Sequence, residues 1–274
     1  ASCLVGSEMC IRDSAPPREL NMTPSPTVLH ADTHEFEEVA DLIKECPDSS
    51  RSFFVVPVAE KKERVSQIVN ARAVSLHNQV VVHVSELSPL GITVLADMLH
   101  VAQESLSTAQ LVAFAAELEN AITCSAYLRS VTKLQVSRTT MWHHVMSWLP
   151  STRFVATAHD GVHSAKKFDQ DEEYWEENAH EVLFISDSSE QKSLITPQSV
   201  AELAQASSVT GRNIDSRGFW GVEPVFEWVF APTDLWAYVD NIKNRSTLCS
   251  WCSEPYVPPR CAVCSAPSLI GESE

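Results

Sequence analysis

The sequence predicts a mixed α+β protein, and the pattern of its apolar residues carries that prediction. SFFVVPV (Ser52 to Val58) and QVVVHVSEL (Gln79 to Leu87) are rich in β-branched residues, with the amphipathic KKERVSQIVNARAV between them. Strand, helix and strand in that order make a small α/β unit. From Pro89 to Leu149 the apolar residues recur at helical spacing. Beyond Pro150, the strand-like RFVATA, EVLFIS and EPVFEWVFA alternate with helical pieces. A hydrophobic content of 44% over 274 residues is enough to build real cores.

Taken in order, HEFEEVADLIKE places Phe36, Val39, Leu42 and Ile43 on one helical face. Pro57 bends the following strand or confines it to an edge. The next helix turns Val65, Ile68 and Val69 inward, and the second strand follows. The long helical run divides into GITVLADMLHVAQE, TAQLVAFAAELENAITCSAYLRSV and TTMWHHVMSWL, and Pro150 ends it. DQDEEYWEEN reads as a solvated acidic face. PQSVAELAQA is helical, and PTDLWAYVDNIKN is a closing helix capped by Thr233 or Asp234. The resulting segments are a head (1–21), an α/β unit (22–90), a helical segment (91–150), a mixed segment (151–245) and a tail (246–267).

Charge and glycine content narrow the function. The formal charge is −16, from 36 acidic and 20 basic residues, so a polyanion could bind only through a local basic region. Only 7 glycines occur, with no GxxxxGK[ST] or GxGxxG, and no nucleotide cofactor is expected. No apolar run reaches the length of a bilayer span, so no membrane partner is expected. The head lacks a leading basic residue, and Gly6, Ser7 and Glu8 interrupt its apolar residues, unlike a secretory signal. LVGSEMCIRD (Leu4 to Asp13) resembles a translated transposase-type sequencing adapter. That resemblance implies an assembly scar packing against nothing, with Met22 a candidate native start. Setting the head aside removes Cys3 and Cys10, and with them any sign of secretion; the chain reads as intracellular, cytoplasmic or nuclear.

One basic region does exist. No Asp or Glu occurs between Asn120 and Ala158, whereas Arg129, Lys133, Arg138 and Arg153 do. Within it, LQVSRTTMWHHV resembles the second half of a bacterial helix-turn-helix. Ser137 can cap such a helix, Val136 can staple onto Met141, and Met141, Val145, Trp148 and Leu149 share its buried face. The resemblance implies duplex DNA as partner, with Arg129, Lys133 and Arg138 on phosphate and Ser137, Thr139 and His143 near bases. Gln135 stands where the motif usually carries its turn glycine. A second segment, VAELAQASSVTGRNI, resembles the opening motif of MerR-like regulators through Ala204, Val209, Thr210 and Ile214. It proposes a further helix-turn-helix at 198–217.

The tail carries CxxC-x8-CxxC: Cys249, Cys252, Cys261 and Cys264. Thiolates two residues apart can close on one tetrahedral zinc, and the second pair completes the site. The intervening SEPYVPPR is stiffened by proline, which keeps closure cheap in entropy. The pattern resembles a short zinc ribbon and implies a structural zinc, although Ser253 and Ser265 stand where such knuckles carry glycine. A pair of disulfides, or free thiols, is the alternative.

His159, Asp160 and His163 in AHDGVH resemble the HD pair of metal-dependent phosphohydrolases, but HDG is also a good turn, which is the preferred reading. Cys124 reads as a small buried hydrophobe. No catalytic residue is assigned. The sequence therefore leads to a non-enzymatic, DNA-binding regulatory protein with a structural zinc. A zinc-knuckle adaptor with protein partners and a hydrolase centred on His159, Asp160 and His163 are the alternatives.

Overall fold

A computed structural model describes residues 9–13, 51–58, 65–70, 80–137, 141, 147–148, 152–168, 170–186 and 195–268. In chain order come β1 (Met9–Asp13), β2 (Arg51–Pro57), a helical stretch over 65–70, β3 (Val80–Ser85), α1 (Pro89–Ala102) and α2 (Thr108–Ala121). Next are β4 (Thr123–Leu128), β5 (Phe154–Thr157), β6 (Val162–Ser164), α3 (Ala165–Phe168), α4 (Glu172–Glu177) and β7 (Val182–Ser186). The chain continues through α5 (Pro197–Leu203), β8 (Ser208–Arg212), α6 (Arg217–Trp220) and β9 (Phe226–Ala231). It closes with α7 (Leu235–Arg245), β10 (Thr247–Leu248) and β11 (Pro255–Tyr256). The fold is mixed α+β, as the apolar pattern predicts.

Two compact units share these elements. The first comprises Ala1–Glu86, Leu95–Asn120 and Asp234–Glu274; the second comprises Leu87–Val94 and Ala121–Thr233. The first unit holds a parallel sheet in the order β1-β2-β3. Phe53, Phe54, Val55 and Val56 are all buried, which is why β2 is continuously apolar and does not alternate. The head departs from expectation here. Met9 to Asp13 pairs with Arg51 to Val55, so it does not pack against nothing. A strand edge takes a partner through backbone groups and asks little of its side chains. In α2, Leu111, Phe114, Ala115 and Leu118 form the buried stripe that the helical spacing predicts. Asp234 caps α7 by accepting the Ala237 N–H at 3.0 Å.

The second unit is built on a sheet in the order β6-β5-β4-β9-β7-β8, antiparallel except for β7 with β8. One face packs Tyr127, Phe226, Trp228 and Phe230 against Phe168, Trp175 and Val200. The opposite face packs Ala126, Leu128, Phe154 and Ala156 against Val131 and Trp220. Burial on both faces explains one difference from the predicted elements. TCSAYL, expected within a helix, is β4: its side chains are buried on both sides, so it shows no strand alternation.

Candidate functional site

Cys249, Cys252, Cys261 and Cys264 come together as the sequence predicts, with all four sulfurs within 4.8 Å of one another. Cys249 Sγ lies 3.5 Å from Cys264 Sγ, and Cys252 Sγ lies 3.7 Å from Cys261 Sγ. A tetrahedral thiolate site with bonds of about 2.3 Å asks for S···S separations of about 3.8 Å, so the donor set fits a zinc-sized ion. Each CxxC closes in the same way: Ser253 N–H donates to Cys249 O at 2.9 Å, and Ser265 N–H to Cys261 O at 2.8 Å. Ser253 and Ser265 adopt φ of 58° and 63°, the left-handed conformation that glycine takes most readily. The backbone N–H groups of Cys252 and Trp251 hold the Cys249 thiol down at about 7.

The tetrad is not a free-standing ribbon. Cys249, Tyr256 and Cys261 pack against Ala109 of α2 in one apolar cluster. Ser107 Oγ donates to Pro255 O at 2.6 Å, and Gln110 Nε2 donates to Ser246 Oγ at 2.8 Å. Elsewhere in this unit, Glu119 accepts from His83 Nε2 and Ser85 Oγ, each at 2.8 Å, and from Glu86 N–H. Burial pushes this carboxyl up, but those donors outweigh it and hold the group below its ordinary value.

The second unit contains polar groups that the sequence reading missed. Tyr174 Oη accepts from Trp228 Nε1 at 2.9 Å and bonds Ser125 Oγ at 3.1 Å; burial raises its pKa. This network is satisfied. On the other face of β9, Glu227 is fully buried, and burial pushes its carboxyl up to about 7. Ser216, Ser88 and Trp220 favour its charged form, in that order. Ser88 opens α1, accepting the Gly91 N–H at 3.1 Å. A Cβ at Gly91 would lie 2.6 Å from Cys124 Sγ, so glycine is what lets this helix end lie close on β4. The signal for Glu227 was present: it is an acidic residue enclosed by the apolar run VFEWVFA.

The second candidate helix-turn-helix does not form, and most of the first lies outside the described residues. Residues 131–137 are a turn tied to the sheet: Ser137 Oγ donates to Thr157 O at 2.7 Å, and Gln135 N–H to Trp220 O at 3.3 Å. The Ser137 hydroxyl thus donates to a strand end. Arg129 and Lys133 are exposed on either side of buried Val131; Arg138, Thr139 and His143 lie outside the described residues. At 198–217, α5 is the first helix, but Ser208 to Arg212 is a strand paired in parallel with Val182 to Ser186. Val209 and Thr210 belong to that strand, which suits β-branched residues. His159, Asp160 and Gly161 turn between β5 and β6, with Thr157 N–H donating to Gly161 O at 3.0 Å. Among the described residues, the four cysteines are the only group of metal-ligating side chains brought together, and His159, Asp160 and His163 are not part of it.

No family model and no curated protein matches the sequence. Solved structures do match. A DegV family protein from Corynebacterium glutamicum aligns with a TM-score of 0.54 at 14% identity, over 82% of this chain and 97% of its own. The fold is DegV-like. A DegV family protein from Ruminococcus gnavus, refined with vaccenic acid, gives 0.53 at 12% identity over 82% and 99%. A stearic acid-binding protein from Eubacterium ventriosum gives 0.52 at 13% identity over 72% and 76%. These matches correct the resemblance to helix-turn-helix proteins and to a zinc ribbon as the identity of the chain. They equally correct the DNA-binding, transcription-regulating role and duplex DNA as the partner, since two of these neighbours are described with fatty acids. No helix among the described residues is long and apolar enough to cross a membrane.

Proposed function

We propose that this protein binds a long-chain fatty acid. The observation that carries the reading is the DegV-like fold, shared over 82% of the chain with a protein solved with vaccenic acid. Two features of the chain support it. Both faces of the central sheet in the second unit are lined with large apolar side chains, the surroundings an acyl chain needs. The charge of −16 disfavours a polyanion such as nucleic acid. Organic extraction of the purified protein followed by mass spectrometry tests this. Recovery of fatty acid near one equivalent per chain is expected; protein that carries none and takes none up on incubation with oleate would overturn it.

We further infer that Cys249, Cys252, Cys261 and Cys264 hold a zinc ion. The all-thiol donor set and sulfur separations support zinc, and four protein ligands leave no open position for chemistry. The ion would fix the two turns to α2 and so serve folding.

A further inference from the structure

Four buried polar side-chain atoms without a hydrogen bond gather at one place in the second unit. They are Oε1 and Oε2 of Glu227, Oγ of Ser216 and Nε1 of Trp220, none of which makes a hydrogen bond among the described residues. Ser216 and Trp220 both act on the Glu227 carboxyl, as does Ser88 at the start of α1. Every one of these side chains is at least nine-tenths buried, with Ser216 at 3% exposure and Ser88, Trp220 and Glu227 at 0%. Unmade bonds of this kind are costly, and native proteins keep few of them, each for a specific reason such as a functional role or a bound water or ion.

Among the described residues, no charged side chain acts on the Glu227 carboxyl. Ala126 stands opposite it on β4, with the Cys124 thiol nearby on the same face. From β7, Ser186 Oγ accepts the Glu227 N–H at 2.7 Å. The first turn of α1, PLGI, contains no ionisable side chain. Arg217 of α6 is exposed and pairs with Glu223, while Arg212 of β8 lies over the Phe184 ring. Among the described residues, no cation therefore holds Glu227 ionised. What surrounds it is a set of donors, the Ser216 and Ser88 hydroxyls and the Trp220 N–H, together with the positive end of the α1 dipole.

Such a set suits an incoming carboxylate if Glu227 itself carries a proton. A carboxylic acid beside a carboxylate shares one proton in a short, charge-assisted bond, whereas two carboxylates repel. We propose that Glu227, Ser216 and Trp220 seat the carboxylate of the ligand, which binds with Glu227 protonated and one proton shared between the two carboxyl groups. The proposal rests on the fatty-acid reading above and adds its head-group chemistry. Because burial pushes Glu227 up to about 7, the protonated form is accessible near neutrality.

The test is the affinity for cis-parinaric acid, kept below its aggregation concentration, as a function of pH. In the wild type, affinity should fall about tenfold per pH unit above about pH 7, where ligand binding must take up a proton. Glu227→Gln, which keeps the shape and a donor but cannot ionise, should bind with a flat profile. Trp220→Phe should weaken binding at every pH and keep the wild-type slope. A flat wild-type profile, or the same slope in Glu227→Gln, overturns the proposal and leaves fatty-acid binding standing. Absence of binding by the wild type at any pH overturns both. Should Glu227→Gln fail to fold, unchanged affinity in both Trp220→Phe and Ser216→Ala overturns the proposal.

Discussion

Replacing Glu227 with glutamine should stabilise the ligand-free protein in alkali and change little in acid. The carboxyl is fully buried on β9, and burial pushes it from 4.5 up to about 7. The folded state thus holds the proton more tightly than the unfolded chain does. Its stability is fully present below 4.5, declines as pH rises from there to about 7, and is level above. A shift of that size corresponds to about 3 kcal/mol lost by the wild type across the window. Glutamine has no proton to lose, so the variant escapes that loss, less the cost of burying an amide. Urea unfolding of both proteins, followed by circular dichroism at about pH 5 and about pH 8, measures the difference. The gap should grow from near zero to between about 1 and 3 kcal/mol in favour of the variant. A gap that does not change with pH would refute the assignment of Glu227 as a buried, neutral-leaning carboxyl.

Three further outcomes follow from the geometry. Cys249→Ser should reduce bound zinc from about one equivalent per chain to near none and lower the melting temperature; unchanged metal content by atomic emission would refute the tetrad. Ser253→Gly and Ser265→Gly relieve left-handed backbone at φ of 58° and 63° and should each stabilise the zinc-loaded protein. The gain should be about 0.5–1 kcal/mol apiece, and a lowered unfolding midpoint would contradict it. Gly91→Ala places a methyl 2.6 Å from Cys124 Sγ. It should cost about 1–3 kcal/mol, read as a drop in thermal midpoint that Cys124→Ala partly restores.

What was legible in the sequence was local. Phe53 to Val56 read as a strand because β-branched and aromatic residues cluster there, and α2 because Leu111, Phe114, Ala115 and Leu118 recur at helical spacing. The cysteine tetrad was legible because the spacing within each pair fixes its turn, and only the joining of the pairs depends on the fold. β4 was hidden by burial on both faces, which removes the alternation that marks a strand. Val209 and Thr210 were misread because a helix cap and an edge strand ask for the same residues; the parallel partner Val182 to Ser186 decides between them. LQVSRTT resembles a helix start by its local chemistry alone. Met141 and Trp148, expected on one buried helical face, are both exposed. The cluster around Glu227 joins residues 88, 216, 220 and 227, a convergence that no local pattern announces. At 12–14% identity the DegV-like likeness is visible in the fold and not in the sequence motifs.

The ligand proposed for this protein is a fatty acid and not a nucleic acid. Its most direct test is a fluorescence titration of delipidated protein with cis-parinaric acid, followed by displacement with oleate and, separately, with duplex DNA at low salt. Saturable binding near one site per chain, displaced by oleate and untouched by DNA, is the predicted result. Binding that oleate does not displace, or no binding at all, would contradict it.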